Sequence, residues 1–506
     1  MKTFTCSIYL MILPVFLFLG QLAVAQDYKA LSTDGEYFFH NPANNSMIAI
    51  RIDSTKIVVN DVYYYNFKQI RHKDYNCAIP NGSSWLGDPV VENPDGTFLF
   101  RNIDPEYGNQ TDSIFIKSKA GLNQSWVLYR YPQYSDYIEA QVTALQNSTF
   151  LGIVDSVKVI SLQHKDASGQ LVQDELNGQQ LKLSKHHGLI RLPKFDEFPT
   201  YAYFYDIAGM TNPPAGNVNP DIRSVFDFEP GDEIHTHYLS SSFGPFSSTE
   251  INSIKKITGK SISPLNDWIS YKYDICWQKT LITSPDLNPQ YESGQQQVND
   301  TIWFNSSLAF ELSKEPDEAI INPAPGWMYT SSGLLKLGRS AKFLDYNYPF
   351  SPPIPGEDCW NMVMVDGCCN PYYITGLGGP YYDCPSYLFW YTDILEIVFY
   401  KKGSETWGTP FDCDSLLQVG LPELPHNQQL SIYPNPTSGE ISISVPADLN
   451  FPLWLDVFDL SGRRVAGFRQ DKVSQTYDIS ALQSGLYTYT LTTPMGRVFR
   501  GKIIRE

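Results

Sequence analysis

The chain predicts an all-β, multidomain protein: an antiparallel β-rich body followed by a C-terminal seven-stranded β-sandwich. Three observations carry that expectation. Apolar residues alternate with polar ones at a period of two, turn dipeptides punctuate the runs, and no long amphipathic helix interrupts them. The 506 residues suffice for about three domains. Hydrophobic residues at 42% and charged residues at 18% supply enough apolar surface for several cores.

Taken in order, residues 1–25 read as a secretory signal peptide. Lys2 precedes an apolar run from Ile8 to Leu19, and Ala23, Val24 and Ala25 form a small-residue site that places cleavage between Ala25 and Gln26. The apolar run is shorter than the roughly 20 residues a spanning helix needs. Cys6 lies before it rather than at the cleavage site, so it is not a lipid-acceptor cysteine.

Residues 26–197 form the first β-rich segment. Ile48, Ile50 and Ile52 share one face against Ala49 and Arg51, and Ile114 and Ile116 oppose Phe115 and Lys117. Turns are expected at Asp34-Gly35, Asn81-Gly82, Asp95-Gly96 and Asn177-Gly178, the last as a hairpin between Val172 and Leu181. Residues 198–420 form a second, cysteine-containing β-rich segment with longer irregular stretches at Asn212 to Asp221 and Tyr346 to Glu357. Residues 421–429 are a Pro-punctuated linker. Seven cysteines follow the signal, five of them between Cys359 and Cys413; in an exported chain they favour disulfides, and no Cys-x-x-Cys points to zinc instead.

Residues 430–506 alternate most cleanly: Ile441, Ile443 and Val445 against Ser442 and Ser444, then Leu453, Leu455 and Val457 against Trp454, Asp456 and Phe458. The charge balance changes as well. The formal net charge of -17 is concentrated before this segment, which itself carries 8 basic and 7 acidic residues. That acidic balance argues against a nucleic-acid partner, whose phosphates are bound through Lys and Arg.

Four motifs then occur in a fixed order: Tyr433, Pro434, Asn435 and Pro436 with Gly439; Val457 to Arg463, containing Asp459 and Gly462; Leu482 to Tyr487, containing Gly485; and Gly496 with Lys502, Ile503 and Ile504. This set resembles the type A C-terminal sorting domain of the Bacteroidetes type IX secretion system. The resemblance implies a domain read by an outer-membrane translocon and removed by a sortase-like peptidase. The cargo is then linked to surface lipopolysaccharide or released. The body phrases Gly231 to His235, Gly376 to Tyr382 and Tyr400 to Pro410 resemble uncharacterised secreted proteins of the same bacteria, which implies a cell-surface or secreted cargo without naming an activity.

Chemistry in the body is sparse. His235 and His237, two apart on a strand, share a face and are the sharpest metal candidates, with Asp232 or Glu233 near; no third ligand is identifiable. No Gly-x-Ser-x-Gly, His-Glu-x-x-His, phosphate loop or EF-hand occurs, so no catalytic residue and no cofactor is assigned. The surplus of 33 Tyr, 28 Phe and 10 Trp either fills cores or leaves flat rings for a partner, as at Tyr372-Tyr373, Tyr381-Tyr382 and Phe389-Trp390-Tyr391. The leading expectation is a body that binds glycan or protein without catalysis. The alternative is a secreted hydrolase of extracellular polysaccharide or protein, which would need a pocket of convergent acids or histidines.

Overall fold

A strand with two apolar faces must be covered on both, and the stretch Met47 to Ile50 at the start of Ser46–Val58 is of that kind. Ile48 and Ile50 enter a core with Phe39, Tyr64 and Trp85, while Met47 and Ala49 pack on the opposite face with Phe38 and Phe67. Ile114 and Ile116 behave differently: both are fully buried, whereas Phe115 between them is exposed on the other face.

The computed structural model describes residues 27–74, 76–103, 110–243, 246–283, 289–322, 326–357, 359–363, 370–386, 391–417, 431–445, 451–493 and 498–506. The signal peptide with Ala25 and Gln26, Cys368, Cys369, Phe389, Trp390, the linker and Gly496 lie outside the described residues. The chain divides into two compact units, Met1–Gln418 and Val419–Glu506.

The first unit is built almost wholly of antiparallel strands, with three short helices, Ile222–Val225, Ser307–Leu312 and Cys413–Leu417, among the described residues. The first two are N-capped by Asp221 and Ser306, whose side chains accept from backbone N–H groups of the first turn. One ladder of paired strands threads the unit from Ser125–Arg130 to Gln290–Trp303. It crosses between distant sequence regions where Glu36–His40 pairs with Phe204–Thr211 and Ser46–Val58 pairs with Met328–Lys336. Two large hydrophobic cores result. One runs from Tyr28 to Met210 and the other from Ile222 to Tyr400.

Two expected local features differ in detail. Arg339–Ser351 continues as a strand through Tyr346, because Phe350 pairs with both Met328 and Met362. Asn177-Gly178 does turn the chain, with φ 85° at Gly178, but Val172 is not in a strand. The turn closes a longer connection between Ile153–Lys165 and Gln180–Ser184.

Disulfides Cys77–Cys359 and Cys276–Cys413 staple the unit across 282 and 137 residues, and Cys384 is disulfide-bonded as well. Among its described residues the second unit has seven strands in a three-stranded and a four-stranded sheet. Ile441, Ile443 and Tyr477 from one sheet meet Leu455, Tyr489, Leu491 and Phe499 from the other in one core, the arrangement of a β-sandwich.

Candidate functional site

A polar cavity of about 360 Å³ opens in the first unit. The strand Gln69–Asp74 brings Arg71 and His72 to it, the turn after Gly188–Pro193 brings Lys194 and Asp196, and the segment between Ser307–Leu312 and Ile320–Ile321 brings Asp317. Asp317 has φ 65°, a left-handed conformation that Asp tolerates better than most residues. Its backbone is held at both ends: Ile70 N–H donates to its carbonyl and its own N–H donates to Ser331 O, each at 2.9 Å.

Arg71 is oriented from two sides, with Nη1 2.5 Å from Asp196 Oδ2 and Nε 2.5 Å from Ser83 O. Its Nη2 and the Oδ1 of Asp196 are buried without a hydrogen-bond partner. Burial works against the Lys194 ammonium, but Asp196, Asp317 and Glu197 outweigh it and hold its pKa above the ordinary value. Burial also raises the Asp317 carboxyl, against the opposing pull of Lys194 and Arg71. Phe350 and Met362 supply an apolar wall, and the Phe350 and His72 rings meet edge-on at 5.5 Å. The site therefore offers matched donors and acceptors with nearly balanced charge, beside an apolar face.

His235 and His237 are held separately. Phe411 N–H donates to His235 Nδ1 at 2.9 Å, which leaves the ring proton on Nε2 for Glu233 Oε1 at 2.6 Å. The buried ring also lies against Phe399 and Phe411, so both of its nitrogens are occupied. His237 instead faces Glu250 and Glu396 at 3.2 and 3.5 Å. Asp232 is buried on Lys402, Gly403 N–H and Glu229 N–H. Among the described residues no three His, Cys, Asp or Glu side chains group to hold a metal ion. Tyr373 and Tyr381 are core residues, with Tyr381 O–H donating to Leu377 O at 2.6 Å.

Sequence reasoning did not find Arg71, Lys194, Asp196 or Asp317. Arg71 and Asp196 are 125 residues apart in the chain, and no local spacing joins them.

In the second unit the motif residues tie the ends of the domain together. Asn435 Nδ2 donates to Lys502 O and its Oδ1 accepts from Ile504 N–H, each at 2.8 Å, so one amide pairs with the last strand as a neighbouring strand would. Tyr433 and Pro434, like Asn435 and Pro436, are joined by cis peptide bonds, and the Tyr433 ring is exposed. Thr437 extends the tie, donating to Ile504 O and accepting from Glu506 N–H, both at 2.9 Å.

Residues 431–506 match the family model of the secretion system C-terminal sorting domain. The second unit belongs to that family. The match marks the chain as cargo of the type IX secretion system, exported across the outer membrane to the cell surface or released, and it implies interaction with that secretion machinery.

The remaining sorting-domain motifs have equally plain structural roles. Asp459 Oδ1 accepts from Ser461 N–H, Ser461 Oγ and Arg463 N–H, closing a turn in which Gly462 has φ 79°. At Gly439 a Cβ would lie 3.0 Å from Ser480 Cβ. Gly485 opens the strand Gly485–Thr492, and Tyr487 O–H reaches back to Gln483 O at 2.7 Å, pinning the connection before it.

No curated protein matches the chain. Among solved structures it is similar at 8% identity to the extracellular domain of a one-component system from B. thetaiotaomicron, covering 95% of this chain and 99% of that one with a TM-score of 0.16. It is similar at 11% identity to the BSP domain of a biofilm-associated protein, covering 95% and 96% with a TM-score of 0.12. At such TM-scores neither likeness carries an argument.

Proposed function

We propose that this secretion cargo is a non-catalytic glycan-binding protein whose body holds a saccharide unit in the cavity of Arg71, Asp196 and Asp317. The observation that carries the reading is a pair of buried atoms without a hydrogen bond, Arg71 Nη2 and Asp196 Oδ1, the latter facing Lys194 Nζ at 3.9 Å. A sugar hydroxyl is both acceptor and donor, so one hydroxyl accepts from the guanidinium while a neighbour donates to the carboxylate. Because Arg71 and Asp196 already neutralise each other, a neutral polar ligand fits better than an ionic one. Phe350 and Met362 suit the apolar C–H face of a sugar ring, and the cavity is at the small end of the roughly 300–1,000 Å³ of ligand sites.

In this reading signal cleavage between Ala25 and Gln26 precedes passage through the translocon. A sortase-like peptidase then removes the sorting domain, and the body is attached to lipopolysaccharide or released. A second reading, a hydrolase at the same cavity, is favoured by one observation: burial raises the Asp317 carboxyl while Asp196 is ion-paired to Arg71, so two carboxyls of one cavity have different surroundings.

The test incubates the purified protein with a panel of polysaccharides and scores both retention and soluble product. Retention without product, reduced at least tenfold by Arg71→Met and by Asp196→Asn, is the expected result. Undiminished retention in both variants would overturn the assignment of the site, and product release abolished by Asp317→Asn would establish the hydrolase instead.

A further inference from the structure

The loop that supplies Lys194 and Asp196 to the cavity also carries a pair of open rings. It joins Gly188–Pro193 to Phe204–Thr211. The paired register ends at Pro193 with Phe204, and the next positions along the two strands are Lys194, which lines the cavity, and Tyr203. Phe195 and Phe198 pin the loop into the first core, their rings against Phe100 and Tyr129. Tyr201 N–H donates to Glu197 O at 2.9 Å, and Lys194 Nζ donates to Glu197 Oε1 at 2.7 Å. Ala202 packs against the same core, so Tyr201 and Tyr203 on either side of it face outward, 56% and 48% exposed. Their planes lie within 3° of parallel with centroids 5.9 Å apart. Rings stacked squarely face to face would have centroids about 3.5–4 Å apart, so the offset leaves much of each face open. Two parallel rings on a pinned loop form a platform that needs no ordering before a ligand arrives.

We infer that Tyr201 and Tyr203 are the outer subsite of the glycan site, so that the body binds consecutive units of a sugar chain, one in the cavity and the next on the tyrosine rings. The inference rests on the saccharide reading of the cavity and extends it from a single unit to a polymer. Three features select a sugar chain. One loop holds both parts: Lys194 and Asp196 line the cavity, and the two tyrosines follow within the same connection. The cavity of about 360 Å³ is small for a chain, so further units must lie outside it, where the loop offers flat rings that match the apolar C–H face of a sugar. Area decides against a protein partner, because two half-exposed rings fall far short of the roughly 800 Å² that a stable protein interface buries on each side. Tyrosine also suits the task on entropy, having only two side-chain torsions to fix when a ligand settles on it.

The experiment titrates the purified full-length exported protein by calorimetry with gluco-, manno-, xylo- and galacto-oligosaccharides of one to six units. The expected result is that, within the series bound, affinity rises about tenfold from one unit to three and then levels off. Tyr201→Ala with Tyr203→Ala, both at exposed positions where folding is retained, should remove that gain and leave the affinity for a single unit unchanged. Tyr201→Phe with Tyr203→Phe should keep the gain, because the ring rather than the hydroxyl does the stacking. Arg71→Met should instead weaken every length by a similar factor, so failure of the cavity and failure of the platform are told apart. An affinity independent of chain length, a gain that survives the double alanine variant, or a gain lost in the double phenylalanine variant would each overturn the inference while leaving the cavity reading to its own test. Binding of no series at all would overturn both.

Discussion

Asp155 joins two strands of the first core, and its removal has a calculable effect. The carboxylate is almost wholly buried and accepts from Ser184 Oγ, from Ser156 N–H at 2.7 Å, from His186 N–H at 2.9 Å and from His186 Nδ1 at 2.8 Å. Burial alone would raise its pKa, but the hydrogen bonds outweigh burial and hold it at about 2, against 3.8 for a free aspartate. The difference corresponds to stability on the order of 2 kcal/mol. Because the folded value is the lower one, that stability is fully present above pH 4 or so and is lost as pH falls through about 2. Asp155→Asn therefore weakens the attachment of Gln180–Ser184 and Gly188–Pro193 to Ile153–Lys165. Native-state hydrogen exchange reads this without assuming that a large body unfolds in one step, and 2 kcal/mol means exchange about 30-fold faster at pH 7 in those strands. The difference between variant and parent in urea midpoint should also close as pH approaches 2. Equal exchange at pH 7, or a midpoint difference undiminished at pH 2, would refute the reasoning.

Further predictions follow from other buried groups. Lys158→Met removes the ammonium that donates to Ala120 O at 2.7 Å and to Ser118 O above the Tyr28 ring, and should cost about 2 kcal/mol in urea denaturation. Burial raises the Glu315 carboxyl, so the folded state takes up its proton more readily than the unfolded state; stability then falls as pH rises above the ordinary carboxylate range, and Glu315→Gln should flatten that slope in unfolding midpoints. Replacing Cys276 and Cys413 by Ser frees a loop of 137 residues and should lower stability by about 3–5 kcal/mol, measured against the parent under oxidising conditions. In the sorting domain Leu455 is completely buried, and Leu455→Ala should cost about 3 kcal/mol in thermal unfolding.

How much of this was legible in the sequence depended on whether one face of a strand is wet. Ile441, Ile443, Leu453, Leu455 and Val457 are buried against exposed or half-exposed neighbours, and these strands could be read directly. Ala49 lies between Ile48 and Ile50 and is buried like them, because a second small core covers that face; period-two reading placed the strand but saw only one buried side. The stretch from Tyr346 to Glu357 reads as irregular because it is rich in Pro, Gly and Asn, yet pairing of Phe350 and Ser351 with Met362 and Asn361 holds its first part in a sheet. The cavity was invisible for a similar reason. Arg71, Asp196 and Asp317 meet only through nonlocal pairing, and nothing in the spacing of single charged residues records it. The sorting motifs were legible because their roles are short-range or end-to-end: Asp459 closes its own turn, and Asn435 must meet Lys502 and Ile504 wherever those strands form.

The central claim is that residues 431–506 direct export, and the most direct measurement is to delete them and follow the body by cell fractionation. The account predicts that the truncated protein accumulates in the periplasm and is lost from the cell surface and the medium. Surface display or release of the truncated protein at the parent level would contradict it.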